Sequence, residues 1–227
     1  MEVSAIERIL DDANRAVDDG SGLDGTDFWK AVGAVKKDPG LVDSYAERIA
    51  EIDRKAFDNW GPMITVPFGL GTTLAALVTV VGFALVGLAY YLDGFAAIVA
   101  FGLGVVVLLG STHTLAHMVV GTIFGIRFTR WFVAEILKPQ PGIKIDYASY
   151  LRTPPRRRAW MHASGALATK AIPFLMIPAA VAADLPAWVS WLLLVAGLAM
   201  IATDVLWSTK SADWKRFARE MKYAQAS

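Results

Sequence analysis

Hydrophobic and polar positions divide the chain into an amphipathic N-terminal part and a much more apolar remainder. In residues 1–60 the apolar positions recur at helical spacing. Along the first stretch they are Val3, Ile6, Ile9, Leu10, Ala13 and Val17. Breaks at Gly20-Ser21-Gly22 and Asp38-Pro39-Gly40 separate it from a second amphipathic stretch, Leu41 to Phe57. We therefore predict a soluble N-terminal helical segment over residues 1–60, a solvated cap without chemistry of its own.

Four long apolar segments follow the N-terminal part. They run approximately from Val66 to Leu92, Phe95 to Phe124, Ala159 to Ala183 and Ala187 to Trp207. At 1.5 Å per residue, each is long enough to cross a hydrocarbon core of about 30 Å. The pattern predicts an all-α membrane protein with four transmembrane helices, a membrane core over residues 61–210 and a basic cytoplasmic tail over residues 211–227.

Positive charge lies mainly in the loop between the second and third segments and in the tail. The loop carries Arg127, Arg130, Lys138, Lys144, Arg152, Arg156, Arg157 and Arg158, and the tail carries Lys210, Lys215, Arg216, Arg219 and Lys222. Because cytoplasmic loops carry an excess of Lys and Arg, we expect an integral protein of the cell membrane with both termini cytoplasmic. The run of three arginines before the third segment predicts a topology determinant or a contact with anionic lipid rather than a nucleic-acid site.

The same loop also shows a weak β pattern. Pro139-Gln140-Pro141-Gly142 is typical of a turn, and Ile143 to Tyr147 alternates as in a short strand. We expect a small β element near the membrane surface.

Composition agrees with a membrane protein and narrows the chemistry. Hydrophobic residues make up 55% of the chain and charged residues only 19%; the mean hydropathy is +0.44. The formal net charge of +1 gives no reason to expect nucleic acid as a partner. The chain has no cysteine, so any metal must be held by nitrogen and oxygen atoms.

The second apolar segment contains two histidines four residues apart, His113 and His117. A spacing of four places both imidazoles on one helix face, one turn apart, where they can hold one metal ion. Two imidazoles and one carboxylate are a common zinc ligand set that leaves a position for water. Asp204, near the cytoplasmic end of the fourth segment, is the natural third ligand. Ionisable groups within membrane spans are functional candidates by default, and the remaining ones are His162 and Lys170.

These residues resemble the site-2 proteases, intramembrane zinc metalloproteases that cleave transmembrane polypeptides. The family motif HExxH corresponds to the HTLAH run from His113 to His117, followed by Gly121 and Gly125 at the family spacing. The resemblance covers roughly residues 66–210 and implies that the two histidines are zinc ligands. It also implies that Asp204 matches the family's aspartate of a later span, although the glycine that usually follows is absent.

The stretch Ala163 to Lys170 is similar to the small-residue segment that the family places before this aspartate. The resemblance further implies that the chain contacts membrane lipids and a transmembrane protein, either as a substrate or as a partner.

One residue departs from the family at the catalytic position. Thr114 stands where the family has the glutamate that takes a proton from water, and a threonine hydroxyl cannot act as that base. Losing a general base typically slows hydrolysis about a hundredfold to ten-thousandfold. The alternative is therefore an inactive pseudoprotease that binds membrane helices and regulates them. Asp213 and Glu135 are further carboxylates on the predicted cytoplasmic side, without an assigned role.

Three other interpretations of the polar residues stay open. The histidines can serve as interhelical hydrogen-bonding groups without a metal. Asp204 can pair with Lys170 as an ion pair without catalysis. A haem-binding membrane protein would use His113 or His117 together with His162 as axial ligands from two helices.

Overall fold

The computed structural model of the protein describes residues 1–135, 141–206 and 212–226. The predicted turn at Pro139, the basic residues Lys138 and Lys210, and the end of the fourth span at Trp207 lie outside the described residues. The helices are α1 Val3–Asp18, α2 Phe28–Val35, α3 Pro39–Trp60, α4 Phe68–Leu88, α5 Gly94–Ile123, α6 Tyr147–Arg152, α7 Pro155–Ala182, α8 Ala187–Leu206 and α9 Asp213–Ala226. A short 3₁₀ turn, Ala89–Tyr91, extends α4, and the strands are β1 Ile64–Pro67, β2 Phe128–Val133 and β3 Gly142–Ile145.

The described chain forms two compact units that are not contiguous in sequence. Unit 1 consists of Met1–Pro67, Gly121–Arg158 and Arg219–Ser227. Unit 2 consists of Phe68–Val120 and Ala159–Ala218. The predicted N-terminal segment is thus one part of unit 1, which also takes in the basic loop and the end of the tail.

Unit 1 has a helical core built on the amphipathic pattern of its sequence. The predicted apolar face of α1 is confirmed apart from Val3, which is exposed, because Ile6, Leu10 and Ala13 are fully buried in the core that α1 forms with α2 and α3. α3 begins where the Asp38 side chain accepts a hydrogen bond from the Gly40 N–H, with a proline at its first position. Segregation of apolar residues to the inner faces of these helices accounts for the compactness of unit 1.

A three-stranded antiparallel sheet of order β1-β2-β3 completes unit 1. Trp131 in the central strand pairs with Val66 on one side and with Ile143 on the other. β3 confirms the strand expected after residue 142. The sequence analysis does not predict β1 or β2; the expected first apolar segment, from Val66, takes in the last two residues of β1.

Four long apolar helices of the described residues lie in unit 2, except that residues 121–123 of α5 and 155–158 of α7 belong to unit 1. The helices that are long and apolar enough to cross a membrane are Phe68–Tyr91, Gly94–Ile123, Pro155–Ala182 and Ala187–Asp204. Their count matches the prediction, and the third begins four residues earlier than expected. Large apolar side chains such as Leu77, Val106 and Trp191 are more than half exposed, as expected for surfaces that face lipid. The all-α membrane fold is confirmed apart from the small sheet.

Glycine allows close helix packing inside unit 2. A Cβ atom built on Gly104 of α5 would lie only 2.8 Å from the carbonyl oxygen of Gly82 in α4. Small residues at such positions are how membrane helices bring their backbones together. The interior between the helices contains Val86, Phe101, Leu108, Ile172 and Leu193.

Candidate metal centre

His113 and His117 meet a carboxylate in unit 2, and that carboxylate belongs to Asp213. The Oδ2 atom of Asp213 lies 3.4 Å from Nε2 of His113 and 3.2 Å from Nε2 of His117. One ligand atom from each residue lies within 4.8 Å of the others, so the three side chains form a group that could hold a metal ion. All three side chains are largely buried, with exposed fractions between 13% and 22%.

The positions of the three side chains follow from the helices that carry them. The two histidines lie one turn apart on α5, with ring centroids 4.8 Å apart and the rings perpendicular. Asp213 is the first residue of α9. A carboxylate is stabilised at a helix N-terminus because the unpaired N–H groups and the helix dipole carry partial positive charge there.

The hydrogen bond of His117 defines its tautomer. Nδ1 of His117 lies 2.7 Å from the carbonyl oxygen of Met161. A carbonyl oxygen can only accept, so Nδ1 carries the proton and donates it. In the neutral ring, Nε2 is then a bare acceptor, and it faces the Asp213 carboxylate.

The same reasoning applies to His113. Its Nδ1 lies 2.9 Å from the Thr169 hydroxyl oxygen, and that hydroxyl donates its own proton to the carbonyl oxygen of Gly165. The Thr169 oxygen is therefore the acceptor, and Nδ1 of His113 is the donor. Metal-binding histidines characteristically donate their second ring N–H to such partners, which orients the ring.

Three acceptor atoms consequently converge: two imidazole nitrogens and one carboxylate oxygen. Such a group is repulsive until a proton or a cation lies among its members. Two ligand atoms about 2.0–2.2 Å from zinc at a tetrahedral angle are about 3.3–3.5 Å apart. The observed separations of 3.2 and 3.4 Å between nitrogen and oxygen match this spacing. The residues present therefore fit a divalent metal ion.

Gly165 on α7 makes room for the His117 ring. A Cβ atom built at Gly165 would overlap that ring, with Cε1 at 2.5 Å and Cδ2 at 2.7 Å. Any side chain here would push the imidazole out of its place. The small-residue segment noted in the sequence thus includes one position at which only glycine leaves space for a ligand.

Asp204, which the sequence analysis expects as the third ligand, is placed differently. Its carboxylate forms an ion pair with the Lys170 ammonium group, the alternative that the sequence left open. This pairing has an electrostatic reason, since Lys170 offers Asp204 an opposite charge and the imidazoles do not unless they are protonated. Asp204 nevertheless lines a cavity of about 370 Å³ together with His113 and Asp213. The other lining residues are Ala166, Thr169, Lys170, Met200, Thr203 and Ala212.

The ionisation state of Asp213 suits a metal ligand. Burial acts to raise the pKa of the Asp213 carboxyl, whereas its hydrogen bond with His117 and its electrostatic interactions with His117 and His113 act to lower it. The lowering effects together are larger, so this pKa lies below its ordinary value. The group is therefore an ionised carboxylate at neutral pH, as metal binding requires.

The remaining polar candidates lie outside this group. Thr114 is buried, with 4% of its surface exposed, so the position of the family's glutamate is not open to solvent. His162 is also buried and is not one of the three grouped side chains. Glu135 is exposed and belongs to unit 1. The sequence analysis gives Asp213 no role because depth within a span favours Asp204; the available signal was an acidic residue in a mainly basic tail.

The arrangement can bind a metal through two nitrogens and one oxygen and can hold water in the adjoining cavity. Comparison with protein-family models, with curated proteins and with solved structures gave no match, so the resemblance to site-2 proteases stands on the residues quoted above.

Proposed function

We propose that this chain is a membrane-embedded zinc metallohydrolase that acts on transmembrane polypeptides, with His113, His117 and Asp213 as the zinc ligands. The observation that carries the proposal is the convergence of two Nδ1-protonated imidazoles on one carboxylate, with nitrogen–oxygen separations close to those of tetrahedral zinc ligands. Zinc is favoured among divalent metals because the set combines imidazole and carboxylate in a site with three protein ligands.

Asp204 is the residue that takes the place of the missing glutamate base. When bound, zinc supplies a Lewis acid that polarises a carbonyl group and makes water more acidic. The Asp204 carboxylate lines the same cavity as His113 and Asp213, and it is held by the Lys170 ammonium group. From this position its oxygen accepts a proton from water in the cavity and later returns it to the leaving amine.

Metal content tests the ligand set directly. The full chain is purified in detergent, incubated with excess zinc, desalted and analysed by mass spectrometry for bound metal. We expect one zinc ion per chain in the wild type, and a loss of most of it in His117→Ala and in Asp213→Ala. Asp204→Asn is the matched control, because it changes a carboxylate of the same cavity and should leave the zinc in place.

Two results would contradict this assignment. A wild-type protein that retains no zinc would remove the metal centre. Zinc lost from Asp204→Asn but kept by Asp213→Ala would return the third ligand to the aspartate that the sequence favoured.

Hydrolysis is tested on a single-span peptide labelled with a fluorophore and a quencher, reconstituted with the protein in vesicles. We expect cleavage by the wild type and a loss of about a hundredfold or more in Asp204→Asn with zinc retained. Cleavage that is unchanged in Asp204→Asn would exclude Asp204 as the base.

A second candidate is the pseudoprotease, a zinc protein that binds membrane helices without cleaving them. It is favoured by the burial of Thr114 at the position of the family's base. This candidate predicts a wild type that holds zinc but cleaves no peptide, and cleavage that appears in Thr114→Glu.

A further inference from the structure

Unit 1 contains a buried cluster of charged side chains that the proposed hydrolase does not use. The Glu220 carboxylate is fully buried and accepts hydrogen bonds from Lys36 Nζ at 2.6 Å and from Arg158 Nε at 2.8 Å. The Tyr150 hydroxyl donates to the same carboxylate at 2.9 Å. We call these four residues the Glu220 cluster. Arg158 is buried, which corrects its interpretation as a lipid contact, while Arg156 and Arg157 are exposed.

The Glu220 cluster carries one more positive charge than negative. Arg158 and Lys36 are both cationic when protonated, and only Glu220 is anionic. Burial, together with the nearby charge of Arg158, lowers the pKa of Lys36 to about 8 despite its contact with Glu220. Buried charge without a counterion is costly, so a second negatively charged group would stabilise this cluster.

Arg158 also has an unused hydrogen-bond donor. Its Nη1 donates to the carbonyl oxygens of Leu151 at 2.8 Å and Thr153 at 3.0 Å, and its Nε donates to Glu220. Its Nη2 is buried and has no hydrogen-bond partner within the described part of the chain. Buried hydrogen-bond donors almost always have an acceptor. Leaving a buried guanidinium nitrogen without one costs more free energy than leaving a neutral donor unpaired.

A cavity of about 200 Å³ adjoins these two cations. Its lining includes Lys36, Pro39, Asp43, Arg152, Pro155 and Arg158. Pro39 and Pro155 are the first residues of α3 and α7, so two helix N-termini, each with partial positive charge, border the same space. Asp43, the acidic residue of this lining, is exposed to solvent. Arg152 is already paired with Glu47 at 2.7 Å on the surface.

We propose that this cavity binds a phosphate group, which the Arg158 Nη2 atom and the Lys36 ammonium group hold. Phosphate matches the donors in chemistry, since guanidinium and ammonium groups form their strongest hydrogen bonds to such oxyanions. The space suffices, because one water molecule needs only about 10–15 Å³. The group comes either from free phosphate or from the headgroup of a phosphomonoester lipid such as phosphatidic acid.

Equilibrium dialysis of the full chain tests both sources. Delipidated protein in detergent is dialysed against radiolabelled inorganic phosphate in excess chloride, and water-soluble dioctanoyl phosphatidic acid is then added as a competitor. Saturable binding of one phosphate per chain supports the site with free phosphate as ligand. Absence of phosphate binding together with one-to-one binding of dioctanoyl phosphatidic acid, measured by calorimetry, supports the site with the lipid headgroup as ligand.

Variants locate the binding. Lys36→Met removes one ligand and also the excess buried charge, so the variant should fold and bind about ten- to a hundredfold more weakly. Arg158→Lys keeps the charge but removes Nη2, and it should weaken binding similarly. Arg156→Gln is the matched control, an exposed arginine two residues away, and it should bind as the wild type does. A wild type that binds neither ligand would overturn the proposal, and so would unchanged affinity in both Lys36→Met and Arg158→Lys.

Discussion

Gly165→Ala is expected to remove zinc binding although it substitutes none of the proposed ligand residues. The added methyl group would lie 2.5 Å from Cε1 and 2.7 Å from Cδ2 of His117, where carbon atoms normally stay about 3.5–4.0 Å apart. The imidazole ring must therefore move by about 1 Å. Zinc–ligand distances tolerate only about 0.2 Å, so this displacement takes His117 out of the coordination shell.

The expected magnitude follows from the loss of one of three protein ligands. Disturbing even the hydrogen-bonding partners of a metal ligand typically costs ten- to a hundredfold in affinity, which sets the lower bound here. That range equals about 1.4–2.7 kcal/mol of binding free energy. Folding should change less, because alanine gains up to about 1 kcal/mol over glycine in a helix and overpacking costs about 1–3 kcal/mol.

The assay is a zinc titration in detergent against a chromophoric chelator, with circular dichroism to check the fold. Gly110→Ala is the matched control. Gly110 lies on α5 three residues before His113, and a Cβ atom there meets nothing within 4 Å. We expect the control to bind zinc as the wild type does. A Gly165→Ala protein with wild-type affinity would refute the idea that His117, in its observed position, is a ligand.

Two further predictions concern buried charge in unit 1. The pKa of Lys36 is about 8 in the folded protein and 10.5 when the group is unperturbed, so between these values the unfolded chain binds more protons and the free energy of unfolding rises with pH. In phosphate-free buffer we expect the free energy of unfolding to rise by about 2 kcal/mol from pH 8 to 9.5, seen as a rise in apparent Tm that is absent in Lys36→Met. Equal profiles of Tm against pH for the wild type and Lys36→Met would contradict this. Lys144→Met leaves the buried Asp53 carboxylate without its partner at 2.6 Å and should cost about 3–5 kcal/mol, whereas Lys55→Met at an exposed pair should cost under about 1 kcal/mol in the same chemical denaturation series.

Buried tyrosines limit the pH window for the Lys36 test. Burial, and then the charge of Glu220, raises the pKa of Tyr150, and the pKa of Tyr147 is raised as well. Acids with raised pKa values destabilise the fold once the unfolded chain begins to ionise, near pH 10. Glu220 stays ionised because Lys36 and Arg158 outweigh its burial and hold its pKa below the ordinary value. The rise in stability between pH 8 and 9.5 therefore reports on Lys36.

The parts of the fold that follow from local pattern could be predicted from the sequence. The apolar face of α1 and the four membrane-crossing helices depend on periodicity and length, which neighbouring residues determine. β1 and β2 could not be predicted in this way, since pairing between Val66 and Trp131 joins residues far apart in the chain. A strand as short as β1 has no periodicity of its own to separate it from the span that follows.

In the candidate site, too, the features within one helix could be predicted and the long-range contacts could not. The spacing of His113 and His117 placed them together, because one helix determines their relation. Matching of depths favours Asp204, but it could not predict that Asp213 lies beside the two imidazoles while Asp204 pairs with Lys170, because both contacts join residues far apart in the chain. In the arginine run the sequence offers three equal charges, and only the packing of α7 determines that Arg158 is the buried one.

The basic tail is more than a topology signal. After Asp204 the chain has only two acidic residues, Asp213 and Glu220. Asp213 meets the two imidazoles in unit 2, and Glu220 meets two buried cations in unit 1. Without these carboxylates, the histidines would lack a charged ligand, and Lys36 and Arg158 would be buried cations without a counterion, which is a severe cost. Each acidic residue of the tail thus supplies the carboxylate of a buried polar cluster in its own unit.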